Sequence, residues 1–167
     1  MSVYWKRLTT RSIFLFSLIA LFCTGTTLQA RADKTQGYAW GANYVGQLGN
    51  GSNVDKSFAQ GIVALKNVTQ VALGDSHSLA LKSDGTVWAW GNNWTGQLGD
   101  GTNIGKNTPV PVSGLAGVVQ VACGGFYSLA LKSDGTVWTW GANNYGQLGD
   151  GTGGYGGSDF DKNTPVQ

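Results

Sequence analysis

The stretch Ala89-Trp90-Gly91-Asn92-Asn93-Trp94-Thr95-Gly96-Gln97-Leu98-Gly99 recurs along the chain at intervals of 50 residues. Related copies occupy residues 39–49 and 139–149, so Trp40, Trp90 and Trp140 are equivalent. A repeat of this length indicates a stacked or circular array, because a single unit cannot bury its own apolar face.

The unit from 68 to 117 predicts about four strands and no helix. Ser78–Lys82 alternates small or polar with large apolar residues, and Thr86–Trp90 is the returning strand. Ser83–Gly85 lies between them, and its glycine suits a hairpin turn. The stretch Lys106–Val112 contains two prolines. Because proline cannot donate to a strand ladder, this stretch is predicted to be an outer edge strand.

The repeated phrase is predicted to form the scaffold of each unit. Alternation places Trp88 and Trp90 on one strand face, where a neighbouring unit would cover them as core residues. In Gly-Gln-Leu-Gly, the leucine is expected to pack between units, the glutamine to satisfy buried backbone groups, and the glycines to allow the turn. The predicted structural residues are Trp40, Trp90, Trp140, Gly41, Gly91, Gly141, Gln47, Gln97, Gln147, Leu48, Leu98 and Leu148.

Residues 1–32 are predicted to be a secretory signal peptide. A basic start containing Lys6 and Arg7 precedes the apolar run Ile13–Cys23, and Ala30-Arg31-Ala32 forms a small-x-small cleavage site. The run is too short for a typical membrane span. The protein is therefore expected to be secreted, extracellular or periplasmic. Membrane contact is expected only if the leader stays uncleaved as an anchor.

The charge of the chain depends on this leader. The whole chain has a formal charge of +2, but all three arginines lie within residues 1–32. Residues 33–167 contain seven lysines and nine aspartates, a formal charge of −2, with no arginine or glutamate. Because phosphate binding needs clustered Lys and Arg, no nucleic-acid partner is predicted. Cys123, the one cysteine after the leader, is predicted to be a small buried hydrophobe.

The phrase Trp-Gly-x-Asn-x-x-Gly-Gln-Leu-Gly follows Ser-Leu-Ala-Leu-Lys-x-Asp-Gly-x-Val, which is found at 78–87 and 128–137. This combination resembles the repeat of the regulator of chromosome condensation family, here in a secreted, bacterial form. The resemblance implies an all-β β-propeller of four-stranded blades, usually seven. Kelch propellers have a similar period. Their Gly-Gly hallmark occurs here only at Gly124-Gly125, which leaves kelch as a distant alternative.

Residues 33–167 are expected to form a partial propeller, with repeats at roughly 36–67, 68–117 and 118–167. At this period seven blades need about 350 residues, so the array is an incomplete one of about 2.5–3 blades. The expectation is the N-terminal piece of a longer protein; the alternative is that several chains assemble into one ring. Open blade edges would favour self-association.

No enzyme activity, catalytic residue, metal site or cofactor is predicted. His77 is the sole histidine, and the aligned residue in the next repeat is Tyr127. The chain contains no phosphate-binding loop and no nucleophile elbow. Asp100-Gly101-Thr102-Asn103 could suggest calcium, but the spacing of an EF-hand loop is missing. Turn chemistry explains this segment better.

Binding is predicted at the loops that differ between repeats, because propeller loops vary while strands are retained. In the first variable patch, Asp75-Ser76-His77 of one repeat aligns with Gly125-Phe126-Tyr127 of the next. In the second, the aligned segments are Tyr44-Val45, Trp94-Thr95 and Asn144-Tyr145. A third variable segment, Gly153–Asp161, is rich in glycine and contains Tyr155 and Phe160. The candidate binding residues are Trp94, Phe126, Tyr127, Asp75, His77, Tyr44 and Tyr155.

Exposed aromatic residues on a rigid rim are typical of protein interfaces. For Trp94, Phe126 and Tyr127, the alternative to binding is packing against blade edges. Packing is the favoured interpretation for Tyr145. For His77 a structural role is favoured. The predicted function is a secreted, non-enzymatic module that binds an unknown protein or surface ligand. It is similar to secreted propellers that inhibit β-lactamases. Two alternatives remain: a guanine-nucleotide exchange factor for a small GTPase, which the leader contradicts, and a carbohydrate or cell-wall binding propeller.

Overall fold

Antiparallel strands make up the part of the chain that the computed structural model describes, residues 37–63, 65–154 and 160–167. Within these ranges no helix is long and apolar enough to cross a membrane. The predicted signal peptide at 1–32 and the candidate residue Tyr155 lie outside the described residues. The strands are β1 (Tyr38–Gly41), β2 (Lys56–Gly61), β3 (Val68–Leu73), β4 (His77–Lys82), β5 (Val87–Gly91), β6 (Lys106–Pro111), β7 (Val118–Cys123), β8 (Tyr127–Lys132), β9 (Val137–Gly141) and β10 (Lys162–Val166).

The strands form three sheets that correspond to the predicted blades. Blade 1 is described through β1 and β2, blade 2 contains β3 to β6, and blade 3 contains β7 to β10. Within each sheet, every strand pairs with the next one along the chain, and every pairing is antiparallel. The proline-containing strand β6 is at the outer edge of its sheet. The all-β prediction of four-stranded blades is therefore confirmed.

Connections between strands alternate between the two ends of each sheet, because successive strands run in opposite directions. Tight turns between the second and third strands lie at one end, at 83–86 and 133–136. The other end carries the connections between the first and second strands and between the third and fourth. We call this end the loop face; its described residues are 42–55, 74–76, 92–105, 124–126, 142–154 and 160–161.

The hydrophobic core lies between the sheets. One cluster of buried residues, which includes Leu48 and Trp90, joins blades 1 and 2. A second, which includes Leu98 and Trp140, joins blades 2 and 3. Full burial of a leucine side chain contributes about 1.5–3 kcal/mol. The prediction that the repeated leucine packs between units is confirmed for Leu48 and Leu98.

A main-chain carbonyl of the repeated phrase connects each blade to the next. The carbonyl oxygen of Gln97 accepts a hydrogen bond from the indole N–H of Trp140 (2.9 Å) and one from the hydroxyl of Ser128 (2.8 Å). Trp90 and Ser78 bond in the same way to the carbonyl of Gln47, at 2.8 and 3.2 Å. The glutamine thus joins blades through its backbone.

The side chain of the same glutamine has a local role. Its Oε1 atom accepts a hydrogen bond from the backbone N–H of Thr95 (3.0 Å), and its Nε2 atom donates to the Asn92 side chain (3.0 Å). The prediction that Gln97 satisfies buried backbone groups is confirmed for this loop.

Cys123 is less buried than the sequence predicts. It is half-buried and packs against the cluster between blades 2 and 3. Burial raises the pKa of its thiol to about 12. The thiolate form needed for nucleophilic chemistry is therefore scarce at neutral pH.

Candidate binding face

Each long loop of the loop face is built around a buried asparagine. The Oδ1 atom of Asn93 accepts the backbone N–H of Leu98 (2.9 Å), and its Nδ2 atom donates to the carbonyl of Thr102 (2.8 Å). Asn43 and Asn143 are buried in the same way and make equivalent bonds. This role of the asparagine is not among the sequence predictions, although the residue recurs at the same place in all three copies of the phrase.

Aspartate side chains stabilise the same loops by accepting hydrogen bonds from a threonine two residues later. Oδ1 of Asp100 accepts both the backbone N–H (2.9 Å) and the hydroxyl (2.7 Å) of Thr102. Asp150 bonds to Thr152 in the same manner, and these bonds lower the pKa of the Asp150 carboxyl. The turn interpretation of this segment is confirmed. Among the described residues, no group of three or more His, Cys, Asp or Glu side chains could hold a metal ion.

Exposed apolar side chains repeat on this rigid support. Tyr44 is 67% exposed and Trp94 is 76% exposed, at equivalent positions of blades 1 and 2. The Asn103 side chain donates to the carbonyl of Trp94 (3.1 Å), which brings the two ends of this loop together. Val54 and Ile104, also equivalent, are exposed on the same loops. The loop face therefore presents an aromatic and an aliphatic side chain from each of these blades.

The two variable patches of the sequence meet where blades 2 and 3 join. Oγ1 of Thr95, whose hydroxyl donates to Oε1 of Gln97 (2.8 Å), lies 3.2 Å from the carbonyl oxygen of Phe126. The backbone N–H of Asp75 donates to the carbonyl of Gly125 (3.1 Å). Phe126 is 46% exposed. We call the group formed by Asp75, Trp94, Thr95, Gly125 and Phe126 the seam.

His77 does not belong to this surface. It is 1% exposed, and its Nε2 atom lies 2.9 Å from Oγ of Ser128. Because the Ser128 hydroxyl donates its proton to the carbonyl of Gln97, His77 must donate to Ser128 and carries its proton on Nε2. Among the described residues, no group bonds to Nδ1. The candidate binding role of His77 is therefore corrected to a structural role between blades 2 and 3.

Lowering the pH from 7 to 4 is expected to destabilise the wild-type chain by about 3 kcal/mol more than a His77→Gln variant. Burial lowers the pKa of His77 from its ordinary value of 6.5 to about 4. The unfolded chain therefore takes up a proton at a higher pH than the folded chain, and stability is lost as the pH falls through this window. Urea denaturation at pH 7, 5.5 and 4 measures the difference. Parallel pH profiles of the two proteins would contradict the assignment.

The other aromatic residues singled out in the sequence differ in their exposure. Tyr127 is half-buried, and its ring packs against Gly124 as His77 packs against Gly74. Tyr145 is 78% exposed. Phe160, from the glycine-rich segment, is also exposed.

Comparison with known sequences decides the family. A family model described as "Regulator of chromosome condensation (RCC1) repeat" matches residues 37–81, 84–131 and 134–167. The chain belongs to the RCC1 repeat family. A second RCC1 repeat model matches residues 68–97 and 118–147. The resemblance inferred from the repeated phrase is confirmed, and the kelch alternative is set aside.

Solved structures with the same architecture are RCC1-type propellers. Human WBSCR16 is 29% identical with a TM-score of 0.68, over 80% of this chain and 35% of that one. Prp20p from Saccharomyces cerevisiae is 22% identical with a TM-score of 0.67, over 78% of this chain and 33% of that one, and supports the fold alone. Yeast RCC1 (Prp20) bound to Kap60 is 27% identical with a TM-score of 0.63, over 79% and 33%. The RCC1 repeats described here thus span about a third of each of these proteins.

Proposed function

We propose that this RCC1 repeat chain is a protein-binding module that contacts its partner through the loop face. One observation carries the proposal: Tyr44, Trp94 and Phe126 are exposed on the same face, on loops that buried asparagines hold in place. Large aromatic side chains on a fixed backbone lose little conformational entropy on binding, and such residues dominate the energy of protein interfaces.

A protein partner fits this face better than a carbohydrate. Sugars also stack on aromatic rings, but Val54 and Ile104 add exposed aliphatic surface beside Tyr44 and Trp94. Burial of aliphatic surface favours an apolar protein patch over a hydroxyl-rich sugar. At the level of the family, the yeast structures concern Prp20p binding to Gsp1p and histones, and RCC1 (Prp20) bound to Kap60. Those partners belong to the yeast protein, and the partner of this chain is a separate question.

We also propose that the module is exported and performs no chemistry. Export rests on the predicted leader at residues 1–32. The absence of catalysis is supported by the burial of His77 and by the raised pKa of Cys123. The formal charge of −2 on residues 33–167 supports a partner other than nucleic acid.

Capture experiments test the proposed function. The immobilised chain is exposed to the extracellular and periplasmic fractions of its source organism, and captured protein is quantified by mass spectrometry. Trp94→Ala and Phe126→Ala are each expected to reduce capture of the specific partner by about 10-fold or more, as for interface anchors.

Phe58→Ala provides the matched control. Phe58 is 65% exposed, but it lies in the outer strand β2 and outside the loop face. This variant is expected to capture the partner as well as the wild-type chain does. Equal capture by all three variants, with unchanged thermal unfolding, would exclude the loop face as the binding surface.

A further inference from the structure

One carboxylate of the loop face is without a partner. Among the described residues, Asp55 and Asp161 accept backbone N–H groups of Asn43 and Asn143, at 2.7 and 2.8 Å. Asp75 differs, because no described residue donates to its exposed carboxylate. The remaining described aspartates are bonded to threonine and paired with lysine: Asp84, Asp100, Asp134 and Asp150.

The Asp75 carboxylate lies close to the backbone of blade 3. A Cβ atom built on Gly125 would lie 2.9 Å from Oδ2 of Asp75, a distance that real Cβ contacts do not show. Glycine at 125 therefore lets the Asp75 carboxylate approach the backbone of blade 3 beside Phe126. With Trp94 next to Thr95 on the other side of the seam, one negative charge and two exposed rings come from two adjacent blades.

Among the described residues, no lysine ammonium pairs with the Asp75 carboxylate. Lys106 pairs with Asp100 and Lys162 pairs with Asp150, each at 3.8 Å. Lys82 and Lys132 pair with aspartates at the turn end of the sheets. The seam therefore keeps a net negative charge next to its aromatic rings.

We propose that the seam binds an arginine side chain of the partner polypeptide, with the Asp75 carboxylate pairing with the guanidinium and the rings of Trp94 and Phe126 contacting it. The inference rests on the proposed protein-binding function and specifies the chemistry of its partner. A planar guanidinium can stack on an aromatic ring and form two parallel hydrogen bonds to one carboxylate. It is also less strongly hydrated than an ammonium group, so arginine fits better than lysine.

The equivalent position between blades 1 and 2 lacks this combination. Tyr44 replaces Trp94 there, but Ser76 stands where blade 3 has Phe126, and Ser76 is buried. That junction offers one exposed ring instead of two.

Titration by two-dimensional ¹H–¹⁵N NMR tests the inference on the whole chain. The Trp94 indole signal is assigned by its loss in Trp94→Phe. The probe is the peptide acetyl-Gly-Gly-Arg-Gly-Gly-amide, and the comparison is the same peptide with neutral citrulline in place of arginine. The arginine peptide is expected to shift the Trp94 signal with a millimolar Kd, about 10-fold tighter than the citrulline peptide.

Two variants test whether the Asp75 carboxylate binds the arginine peptide. Asp75→Asn is expected to weaken binding of the arginine peptide by about 5- to 10-fold, whereas Phe58→Ala, outside the loop face, leaves the Kd unchanged. Unchanged chemical shifts elsewhere show that each variant is folded. Equal shifts with both peptides, or an unchanged Kd in Asp75→Asn, would overturn the inference.

The test separates this inference from the proposed function. If capture of the partner falls with Trp94→Ala but the arginine and citrulline peptides bind equally, the loop face binds protein and the arginine site is wrong. If the arginine peptide binds through Asp75 but capture is unchanged in every aromatic variant, the arginine site stands and the proposed use of the loop face fails.

Discussion

Replacement of Trp90 by alanine is expected to lower the free energy of unfolding by about 4 kcal/mol. Trp90 is fully buried between blades 1 and 2, and its indole N–H donates to the carbonyl of Gln47. The substitution removes the largest side chain of this cluster and leaves a cavity that the two sheets cannot close. It also removes one of the hydrogen bonds between the blades. Urea denaturation followed by circular dichroism measures the loss.

Trp88→Ala is the matched control for this prediction. Trp88 lies on the same strand and the same strand face as Trp90, but it is only half-buried. Its indole bonds to Thr86 of the adjoining turn, and the ammonium of Lys82 lies 5.5 Å from its ring. Trp88→Ala is expected to lower the free energy of unfolding by about 1–2 kcal/mol. Equal losses for the two variants would contradict the role of Trp90 in joining the blades.

Gly99→Ala is expected to lower the free energy of unfolding by about 3–4 kcal/mol, whereas Gly149→Ala lowers it by about 1 kcal/mol. Both glycines have positive φ, at 67° and 69°. An alanine Cβ at 99 would lie 2.7 Å from Nε1 of Trp140, whereas at 149 no described atom lies within 4 Å. The pair of alanine variants therefore separates backbone strain from steric overlap.

The same denaturation experiment measures both glycine variants. A difference of about 2–3 kcal/mol between them is the contribution of contact with the next blade. If Gly99→Ala and Gly149→Ala lose the same amount, the repeated glycine is required only for its backbone conformation. The close packing of Trp140 on this turn would then have no energetic consequence.

The sequence predicts the blades well because the repeat constrains them. Three copies of one phrase give the period, and the alternation around Ser83–Gly85 gives the central hairpin. Pro109 and Pro111 identify the outer strand, since a strand at the edge tolerates a missing donor. Each of these features is local to one unit, and local patterns can be read without knowledge of neighbouring units.

The candidate site was predicted less well because it lies between units. His77 is next to the variable residues Asp75 and Ser76, yet its ring points into the joint with blade 3, where Ser128 meets it. The meeting of Asp75 with Gly125 depends on how two sheets pack, and no pattern within one repeat contains that information.

The carbonyl of Gln97 gives this architecture a simple route of growth by gene duplication. Each unit carries an acceptor in its Gly-Gln-Leu-Gly turn and two donors, a serine and a tryptophan, that match the acceptor of the unit before it. A duplicated segment therefore brings both halves of a new junction with it, and no compensating change is needed elsewhere. Segment Leu79–Trp88 is identical to Leu129–Trp138, as expected for a copy that worked without adjustment. Variation can then accumulate in the loops, where each new unit adds another position for contact with a partner.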